Sequence, residues 1–271
     1  MEDNIVRKGC LSLKNKGLSY TLTSDGVLTI SGSGWLYPVP APDANPYYDD
    51  DPEPEGPSGW SEYISEFKDM DFHTARIEEG IRGLDTFSFR DCKSLRKIIL
   101  PNSDFFIHAR FAEGSPIEYF EEGGLLFLGS SANPRQVLIG CSEEFKNKIL
   151  EIPEGTVTIS DEAFWGKEFI EEVKIPNSLR FLGWYTFAGT SIRHLFLPDG
   201  NLANPEWIMA FDSDDFEFSL KSLSLPMSMY EEFLKEKMWY LNLGCEIKFR
   251  APGSSEEKDW KEVINFFGTY I

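Results

Sequence analysis

Two consecutive stretches of the chain, PEGTVTISDEAFWGKEFIEEVKIP (residues 153–176) and PNSLRFLGWYTFAGTSIRHLFLP (residues 176–198), follow one pattern. Each stretch begins and ends with a proline, and Pro153, Pro176 and Pro198 are 23 and then 22 residues apart. Self-similarity at a fixed period of this length is typical of proteins in which each copy forms one coil of a stacked array. The sequence therefore predicts a repeat solenoid.

The end of each copy predicts a short strand. In the second copy, Leu195 and Leu197 are two residues apart, which is the spacing of side chains on one face of a strand. A single coil would leave these aliphatic side chains in water, so a fold of this kind usually needs at least three stacked copies. We therefore expect an interior position for the last aliphatic residue of each copy, namely Leu100, Ile175, Leu197 and Leu225.

Two further segments fit the same pattern. Residues 76–101 form another copy, and residues 220–226 end a degraded fourth copy. In three copies an aliphatic residue precedes a phenylalanine by five positions, as in the pairs Leu84 and Phe89, Ile159 and Phe164, and Leu182 and Phe187. In these three copies the phenylalanine precedes the next aliphatic residue of the pattern by five or six positions. In the degraded copy, Phe211 lies nine residues before Leu220. The number of copies meets the minimum that a stable stack needs.

The residues that recur in these copies resemble a known family. The segment Phe89-Arg-Asp-Cys92-Lys-Ser-Leu95-Arg-Lys-Ile98-Ile-Leu100-Pro101 is similar to the consensus of the BspA-like leucine-rich repeat family. Residues 20–34 resemble the hairpin that precedes the repeats in many members. The resemblance implies leucine-rich-repeat architecture, mainly β with short helices, and a binding role without catalytic residues. Residues 38–59 are longer and more acidic than the usual link of this family, and residues 102–150 follow the frame only loosely.

These features predict four segments. Residues 1–37 are expected to form an N-terminal β-hairpin cap, because apolar and polar residues alternate around Asp25-Gly26, and glycine tolerates the positive φ of a tight turn. Residues 38–59 are an acidic, proline-rich loop, residues 60–226 contain the repeats, and residues 227–271 form a C-terminal cap with two helices. Capping-box signatures at Ser228 and Ser254 indicate where these helices begin.

Two segments leave alternatives open. The clustered carboxylates of residues 38–59 favour a solvated loop, although they could also supply oxygen ligands to calcium. Trp60, Tyr63, Ile64 and Phe67 follow helical spacing and predict a short helix packed on the first coil or, alternatively, an aromatic surface for a partner. Residues 125–128 and 137–139 predict two short apolar strands. The C-terminal helices either close the array or bind a partner.

The charge of the chain limits its partners. Of 271 residues, 26 are Lys or Arg and 45 are Asp or Glu, giving a formal net charge of −19. Such a charge repels phosphate backbones, so we expect no nucleic acid partner and a protein partner with a basic surface. A run of about 18 apolar residues that could span a membrane is missing.

The first residues of the chain bear on where in the cell the protein is expected. Met1 is followed by Glu-Asp-Asn, without the basic and apolar regions of a secretion signal. If Met1 is the native start, we expect a cytoplasmic protein. The alternative is a cell-surface or secreted protein from which a signal was trimmed, because many members of the similar family are surface proteins.

Motifs for catalysis are missing from the sequence. His73, His108 and His194 are far apart, and the sequence contains no zinc-protease, nucleophile-elbow or phosphate-loop motif. The four cysteines are scattered without a Cys-x-x-Cys pair, which favours buried thiols, with a disulfide or a metal as the alternative. We therefore expect no enzymatic activity, no metal and no cofactor. An enzyme that uses a pair of clustered carboxylates is the remaining alternative.

The repeats instead predict a binding surface. The residues between the inward ones point outward, and stacking aligns them into what we call the repeat ladder: Lys97, Ile99, Glu172, Lys174, His194, Phe196, Ser222 and Ser224. Ile99 and Phe196 are apolar at exposed positions, which often marks a protein contact, although single exposed hydrophobic residues are also common. We expect a non-catalytic module that binds another protein. Sequestration or inhibition of a basic protein is the role that fits this expectation. The alternative is a cell-surface adhesin for host or matrix proteins.

Overall fold

The structure is a computed structural model that describes residues 4–12, 14–40, 63–199, 210–211, 220–235 and 244–263. All structural statements refer to these residues. The chain divides into two compact units. Unit 1 contains Met1–Glu121 and Phe127–Val137, and unit 2 contains Glu122–Leu126 and Leu138–Ile271.

Short β-strands make up most of the described secondary structure. The first part of the chain forms β1 Ile5–Cys10, β2 Leu18–Thr23, β3 Val27–Gly32, β4 Gly34–Leu36, β5 Val39–Pro40, β6 Tyr63–Ile64, β7 Thr74–Ile77, β8 Ile81–Leu84, β9 Lys97–Ile99, β10 Phe106–Ile107, β11 Phe120–Glu122, β12 Leu125–Leu128 and β13 Val137–Cys141. The remainder forms β14 Ile149–Glu151, β15 Thr158–Ile159, β16 Glu172–Lys174, β17 Phe181–Leu182, β18 His194–Phe196, β19 Ser222–Pro226, β20 Glu246–Arg250 and β21 Glu257–Asp259. A 3-10 helix, Met227–Met229, leads into α1, Tyr230–Lys235.

Unit 1 begins with antiparallel strands and continues with the parallel strands of the repeat coils. One sheet has the order β1-β2-β3-β7-β9, in which β1-β2-β3 is antiparallel and β3-β7-β9 is parallel. The predicted hairpin is confirmed as β2 and β3, and Gly26 in its turn has a φ of 76°. A second sheet has the order β10-β8-β4. The strand of the hairpin therefore continues directly into the parallel pairing of the repeats.

Unit 2 repeats the parallel pairing. β14 pairs with β16, β15 pairs with β17, and β18, β19 and β20 form parallel neighbours to which β21 is added in antiparallel orientation. Leu195, Leu223 and Ile247 occupy one register row and are each at most 2% exposed. The strands at the ends of successive copies thus bury one aliphatic row, as a β-solenoid requires.

Main-chain hydrogen bonds join turns that lie one sequence repeat apart. In unit 1 the N–H of Phe89 donates to the carbonyl of Phe111 at 2.7 Å. In unit 2 the N–H groups of Glu162, Phe164 and Gly166 donate to the carbonyls of Trp184, Thr186 and Ala188, each at 2.9 Å. Because each bond joins residues about one repeat apart, main-chain groups that a lone coil would leave without partners are satisfied by the next coil.

The recurring phenylalanines form the core between the turns. Phe89, Phe164 and Phe187 are at most 1% exposed, and the rings of Phe164 and Phe187 stack with centroids 5.8 Å apart. Phe211 continues this stack, because its ring centroid lies 5.2 Å from that of Phe187. The degraded copy therefore keeps its phenylalanine in place, and its altered spacing falls on residues 212–219, outside the described residues.

Several local predictions have definite outcomes. The two apolar strands are confirmed as β12 and β13. The helix predicted to include Tyr63 and Ile64 is wrong, because these residues form β6 and pair with β5, while Phe67 is buried against Phe72 and Phe89. The pairing also means that Val39–Pro40, inside the predicted loop 38–59, form a strand. The rest of that loop lies outside the described residues, as does the proposed calcium site.

The C-terminal predictions are partly wrong. Ser228 lies inside the 3-10 helix, whose N-cap is Pro226, rather than opening an α-helix with its hydroxyl. Glu257 belongs to β21, so the box that begins at Ser254 does not open a helix. Residues 260–263 are helical, and the N–H of Lys261 donates to Asp259 at 2.8 Å. The boundaries of the four predicted segments, and the capping roles of the first and last of them, stay predictions.

Candidate functional site

The repeat ladder divides between the two units. Unit 1 contributes β9, where Lys97 is exposed and Ile99 is half-buried. The unit 2 residues lie in β16, β18 and β19, and their register aligns His194 with Ser222 and Phe196 with Ser224. The inward prediction holds for Leu100, Leu197 and Leu225, which are buried, whereas Ile175 is only half-buried.

One member of the ladder is not on the surface. Ser224 was expected to point outward, yet it is only 4% exposed, and its hydroxyl has no hydrogen-bond partner among the residues that the structure describes. In the register of β18, β19 and β20, this serine lies between Phe196 and Lys248. Because Ser224 is buried and Phe196 is 47% exposed, a partner would reach Phe196 rather than Ser224. The alternating pattern predicts the face of the strand but not which side chains cover their neighbours.

Three polar side chains of the ladder, His194, Ser222 and Lys174, have partners. In unit 2, Nδ1 of His194 lies 2.8 Å from Oγ of Ser222. The ammonium group of Lys174 pairs with the carboxylate of Glu151, and this hydrogen bond raises the pKa of Lys174. Glu172 is exposed on the same strand. Exposed ion pairs of this kind contribute little to stability, so we interpret them as a solvated rim around the apolar residues.

Phe196 is the large apolar side chain at the centre of this rim. It is 47% exposed, and the guanidinium carbon of Arg250 lies 4.0 Å from the centroid of its ring. Arg250 is 4% exposed; its Nη2 donates to the carbonyl of Leu197 and lies 3.6 Å from the carboxylate of Asp199. Burial lowers the pKa of Arg250, and the charge of Asp199 partly opposes this. One face of the ring is therefore held by a fixed cation, while much of the ring stays open to solvent.

The alternation of residues 246–249 predicts a last strand, which β20 confirms, but the predicted repeat ladder does not include it. Glu246, Lys248 and Arg250 alternate with Ile247 and Phe249, which are 1% exposed. This alternation has the period of two that identified the earlier strands, and it could have extended the ladder by one row. Lys248 lies within 3.6 Å of Glu257, so β21 adds to the charged rim of unit 2.

In unit 1, Ile99 borders a surface groove. The groove has a volume of about 300 Å³ and is lined in part by Lys97, Glu118 and Phe120. Phe120 is 42% exposed, and its ring centroid lies 6.3 Å from that of buried Phe127. Phe120 was not among the predicted site residues because it lies in the segment that follows the repeat frame only loosely. A partner that contacts Ile99 would also meet this second apolar side chain.

The described residues contain no group of three or more His, Cys, Asp or Glu side chains that could hold a metal ion. Two of the histidines are engaged in local structure. Nε2 of His73 lies 2.7 Å from the carbonyl oxygen of Asp25, and the ring of His108 packs 5.3 Å from that of Trp35. None of the described helices is long and apolar enough to cross a membrane. The absence of enzymatic activity stays a prediction.

The four cysteines are free thiols in the structure. Cys92 is fully buried, and this burial raises its pKa to about 11. Burial also raises the pKa of Cys141 and Cys245. Cys10 is exposed in β1. Cys92 therefore fills space in the core rather than offering a reactive group.

This difference predicts an order of alkylation by iodoacetamide. With a pKa of about 11, only about one Cys92 thiol in a thousand is ionised at pH 8. We expect Cys10 to be alkylated first and Cys92 to be protected until the protein is unfolded in guanidinium. Mass spectrometry of peptides taken over time measures both rates in one sample. Equal rates for Cys10 and Cys92 in the folded protein would contradict the assignment of Cys92 to the core.

Comparison with known proteins finds one matching family profile and several similar solved structures. The profile of the BspA type leucine rich repeat region matches residues 63–121 and 141–231 in six copies. Similar solved structures include a leucine rich cell surface protein from Faecalibacterium prausnitzii A2-165, with 12% identity over 91% of this chain and 96% of that chain and a TM-score of 0.34. The pneumococcal vaccine antigen PcpA has 12% identity over 82% of each chain and a TM-score of 0.30. A leucine-rich repeat protein from Bacteroides ovatus ATCC 8483 has 16% identity over 78% of this chain and 64% of that chain and a TM-score of 0.25.

No curated protein matches the sequence. The profile match covers more than half of the chain, and it includes the turns that are joined one repeat apart and the buried phenylalanines between them. The chain therefore belongs to the family of proteins with BspA type leucine-rich repeats.

Proposed function

We propose that the chain is a non-catalytic module that binds another protein through its repeat ladder, with Phe196 as the central contact. The exposure of Phe196 is the observation that carries this proposal, because a large aromatic side chain is 47% exposed on a sheet whose other outward residues are mostly polar. Aromatic residues that dominate binding energy usually lie at the centre of an interface and are surrounded by polar contacts.

The contacts of Phe196 favour a fixed rather than a mobile aromatic group. Arg250 packs on one face of the ring and is itself held by the Leu197 carbonyl and Asp199. A side chain that is already ordered loses less conformational entropy when a partner covers it. The nearby polar groups of His194 and Ser222 are hydrogen-bonded to each other, so covering them leaves fewer unpaired groups.

The charge of the chain supports a basic partner. The net charge is −19, and attraction between opposite charges raises the rate of encounter while salt screens it. Sequestration or inhibition of a basic protein is the role that we propose from this charge. We expect the association rate to fall several-fold between about 50 and 500 mM salt, as it does for electrostatically steered complexes.

The test is a pair of matched variants that are immobilised and used to capture partners. Phe196→Asp is expected to lose most of the specific capture, because a charge replaces the apolar contact, while its thermal midpoint stays close to that of the wild type. Arg193→Ala, a substitution at the exposed residue just before β18 that is not part of the ladder, is the control and is expected to keep the capture. Captured proteins are identified by mass spectrometry, and binding is then measured with each purified candidate.

Two pools of candidate partners are compared in this experiment. A soluble cell lysate represents the cytoplasmic alternative, and purified host and matrix proteins represent the adhesin alternative. A partner from either pool that binds the wild type and Arg193→Ala, but not Phe196→Asp, supports the proposal. Equal capture by all three proteins would remove Phe196 from the interface, and loss of the folded state in Phe196→Asp would show that its ring is part of the core.

A further inference from the structure

The first strand of unit 1 has an open edge. β1 pairs with β2 on one side, and no strand within the described residues pairs with β1 on the other side. The N–H of Leu11 donates to the carbonyl of Leu18 at 3.1 Å, in the same register as the pairing of β1 with β2. Hydrogen-bonded and non-hydrogen-bonded pairs alternate along an antiparallel ladder. The main-chain groups of Gly9 therefore face β2, whereas those of Lys8 and Cys10 face the open edge.

β1 and the turn that follows it carry a charge opposite to that of the whole protein, although Glu2 and Asp3 lie just before β1 in the sequence. Residues 4–24 contain four basic residues, Arg7, Lys8, Lys14 and Lys16, and no acidic residue, although the net charge of the chain is −19. Arg7 and Lys8 are exposed neighbours in β1, and neighbouring side chains of a strand point to opposite faces. An acidic side chain would therefore meet a cation on either face of the sheet.

Apolar surface is available at the same edge. Ile5 and Val6 are 50% and 62% exposed, and they precede the two basic residues in β1. An open edge with exposed apolar side chains is a site at which another strand can pair. The main-chain groups of Lys8 and Cys10 are exposed, and their spacing matches the donors and acceptors that an extended polypeptide carries along one edge.

We propose that the open edge of β1 binds an extended acidic segment of a partner protein, which joins the sheet as an additional strand. Main-chain hydrogen bonds to Lys8 and Cys10 hold the segment, and Arg7 and Lys8 select acidic side chains. This contact is separate from the repeat ladder and takes a partner segment of the opposite charge, so it extends beyond the proposed function and does not depend on Phe196.

The same charges disfavour pairing between two copies of this chain. A second β1 would bring its own Arg7 and Lys8 close to the same cations, and like charges on paired strands are destabilising. The register between β1 and β2 also shifts between Ile5 and Arg7, and such irregularities are typical of edges that do not pair with themselves. The edge therefore disfavours pairing with a second copy of this chain and favours pairing with a strand of opposite charge.

Synthetic peptides test both parts of the proposal. The probe is an extended peptide of alternating glutamate and valine, about eight residues long, which matches the length of a typical strand. The first control replaces glutamate with lysine. The second control keeps the glutamates but carries an N-methyl group on every residue, which removes the main-chain donors from both edges. We expect the probe to bind with at least about tenfold higher affinity than either control, since one tenfold step corresponds to about 1.4 kcal/mol.

Amide hydrogen exchange locates the bound peptide. The N–H groups of Lys8 and Cys10 are expected to exchange more slowly when the probe is bound, because they become donors to it. The N–H of Gly9 faces β2 already, so its exchange is expected to change less. NMR spectra of the whole chain, with and without the peptide, measure the three amides together.

Variants of the chain separate charge from main-chain pairing. Lys8→Pro removes the N–H at the open edge and leaves the pairing with β2 intact, since proline is tolerated on edge strands. Lys8→Ala removes only the charge, and Lys16→Ala removes an equal charge from the turn that follows β1. We expect Lys8→Pro to weaken binding at least about tenfold, Lys8→Ala about threefold and Lys16→Ala less than about twofold.

Several outcomes would overturn the proposal. They are equal binding of the glutamate and lysine peptides, full binding of the N-methylated peptide, and binding without protection of Lys8 and Cys10. A dimer of the free chain that dissociates in Lys8→Pro would identify a second copy as the occupant instead. If Lys8→Pro does not fold, the N-methylated peptide and the amide exchange still decide the result. Phe196→Asp is expected to bind the probe normally, so failure of the repeat-ladder proposal would be recognised separately.

Discussion

Leu195→Ala is expected to lower the free energy of unfolding by about 2 to 5 kcal/mol, the range for removing a buried leucine side chain from a packed core. Leu195 is 2% exposed and lies beside Leu223 in the parallel register of β18 and β19. The alanine would leave a cavity in a row where each coil supports the next. Because coils of a repeat protein are stabilised chiefly by their neighbours, the loss is expected to affect the adjacent coil as well.

Urea denaturation followed by circular dichroism measures this effect. His194→Ala is the matched control, because His194 precedes Leu195 in the same strand but is exposed. We expect the control to change the unfolding free energy by less than about 0.5 kcal/mol, as most surface substitutions do. A cost for His194→Ala that equals that of Leu195→Ala would contradict the assignment of inward and outward faces in β18.

The coils could be predicted from the sequence because their physical causes are local and repeated. Aliphatic residues two apart mark one face of a strand, and a phenylalanine at a fixed distance marks the turn. Phe89, Phe164 and Phe187 are all buried in this way. The position of Phe211 shows that the fold can preserve a contact even where the spacing changes, since its ring still stacks on that of Phe187.

Predictions failed where a distant segment decides the local structure. Tyr63 and Ile64 have helical spacing with their neighbours, but they pair with Val39–Pro40 across more than 20 residues of sequence. Strand propensity depends strongly on such pairing, and a single-segment pattern does not contain it. At the C-terminus, Glu257 follows a capping-box pattern, yet it pairs with Arg250 in an antiparallel ladder.

The sequence predicts which side chains of the ladder point outward, but not which of them are accessible to a partner. Alternation identifies Phe196 and Ser224 as outward residues of neighbouring strands, and the register aligns them. Alternation does not show whether either is accessible, and in the structure Phe196 is exposed whereas Ser224 is buried. The contact between Phe196 and Arg250 joins residues 54 positions apart, so only the folded chain brings it together.

Gly32→Ala is expected to be strongly destabilising, because Gly32 combines an unusual conformation with a close main-chain contact. Its φ is 128°, a region that residues with side chains rarely adopt. A Cβ atom at this position would lie 2.1 Å from the carbonyl oxygen of Gly17, far inside any permitted contact. Gly32 also pairs with Leu18 at the end of the hairpin, so relief of the clash requires β2 and β3 to separate there.

Gly34→Ala is the control that separates these two causes. Gly34 has a similar φ of 119°, but its Cβ would meet no atom within 4 Å. We expect Gly34→Ala to cost about 1 to 3 kcal/mol, the usual range for one strained residue. Gly32→Ala should cost about 2 to 6 kcal/mol in total, because overpacking adds about 1 to 3 kcal/mol to the strain. Equal losses in thermal or urea denaturation would mean that the chain relaxes around Gly17 and that the close contact contributes nothing.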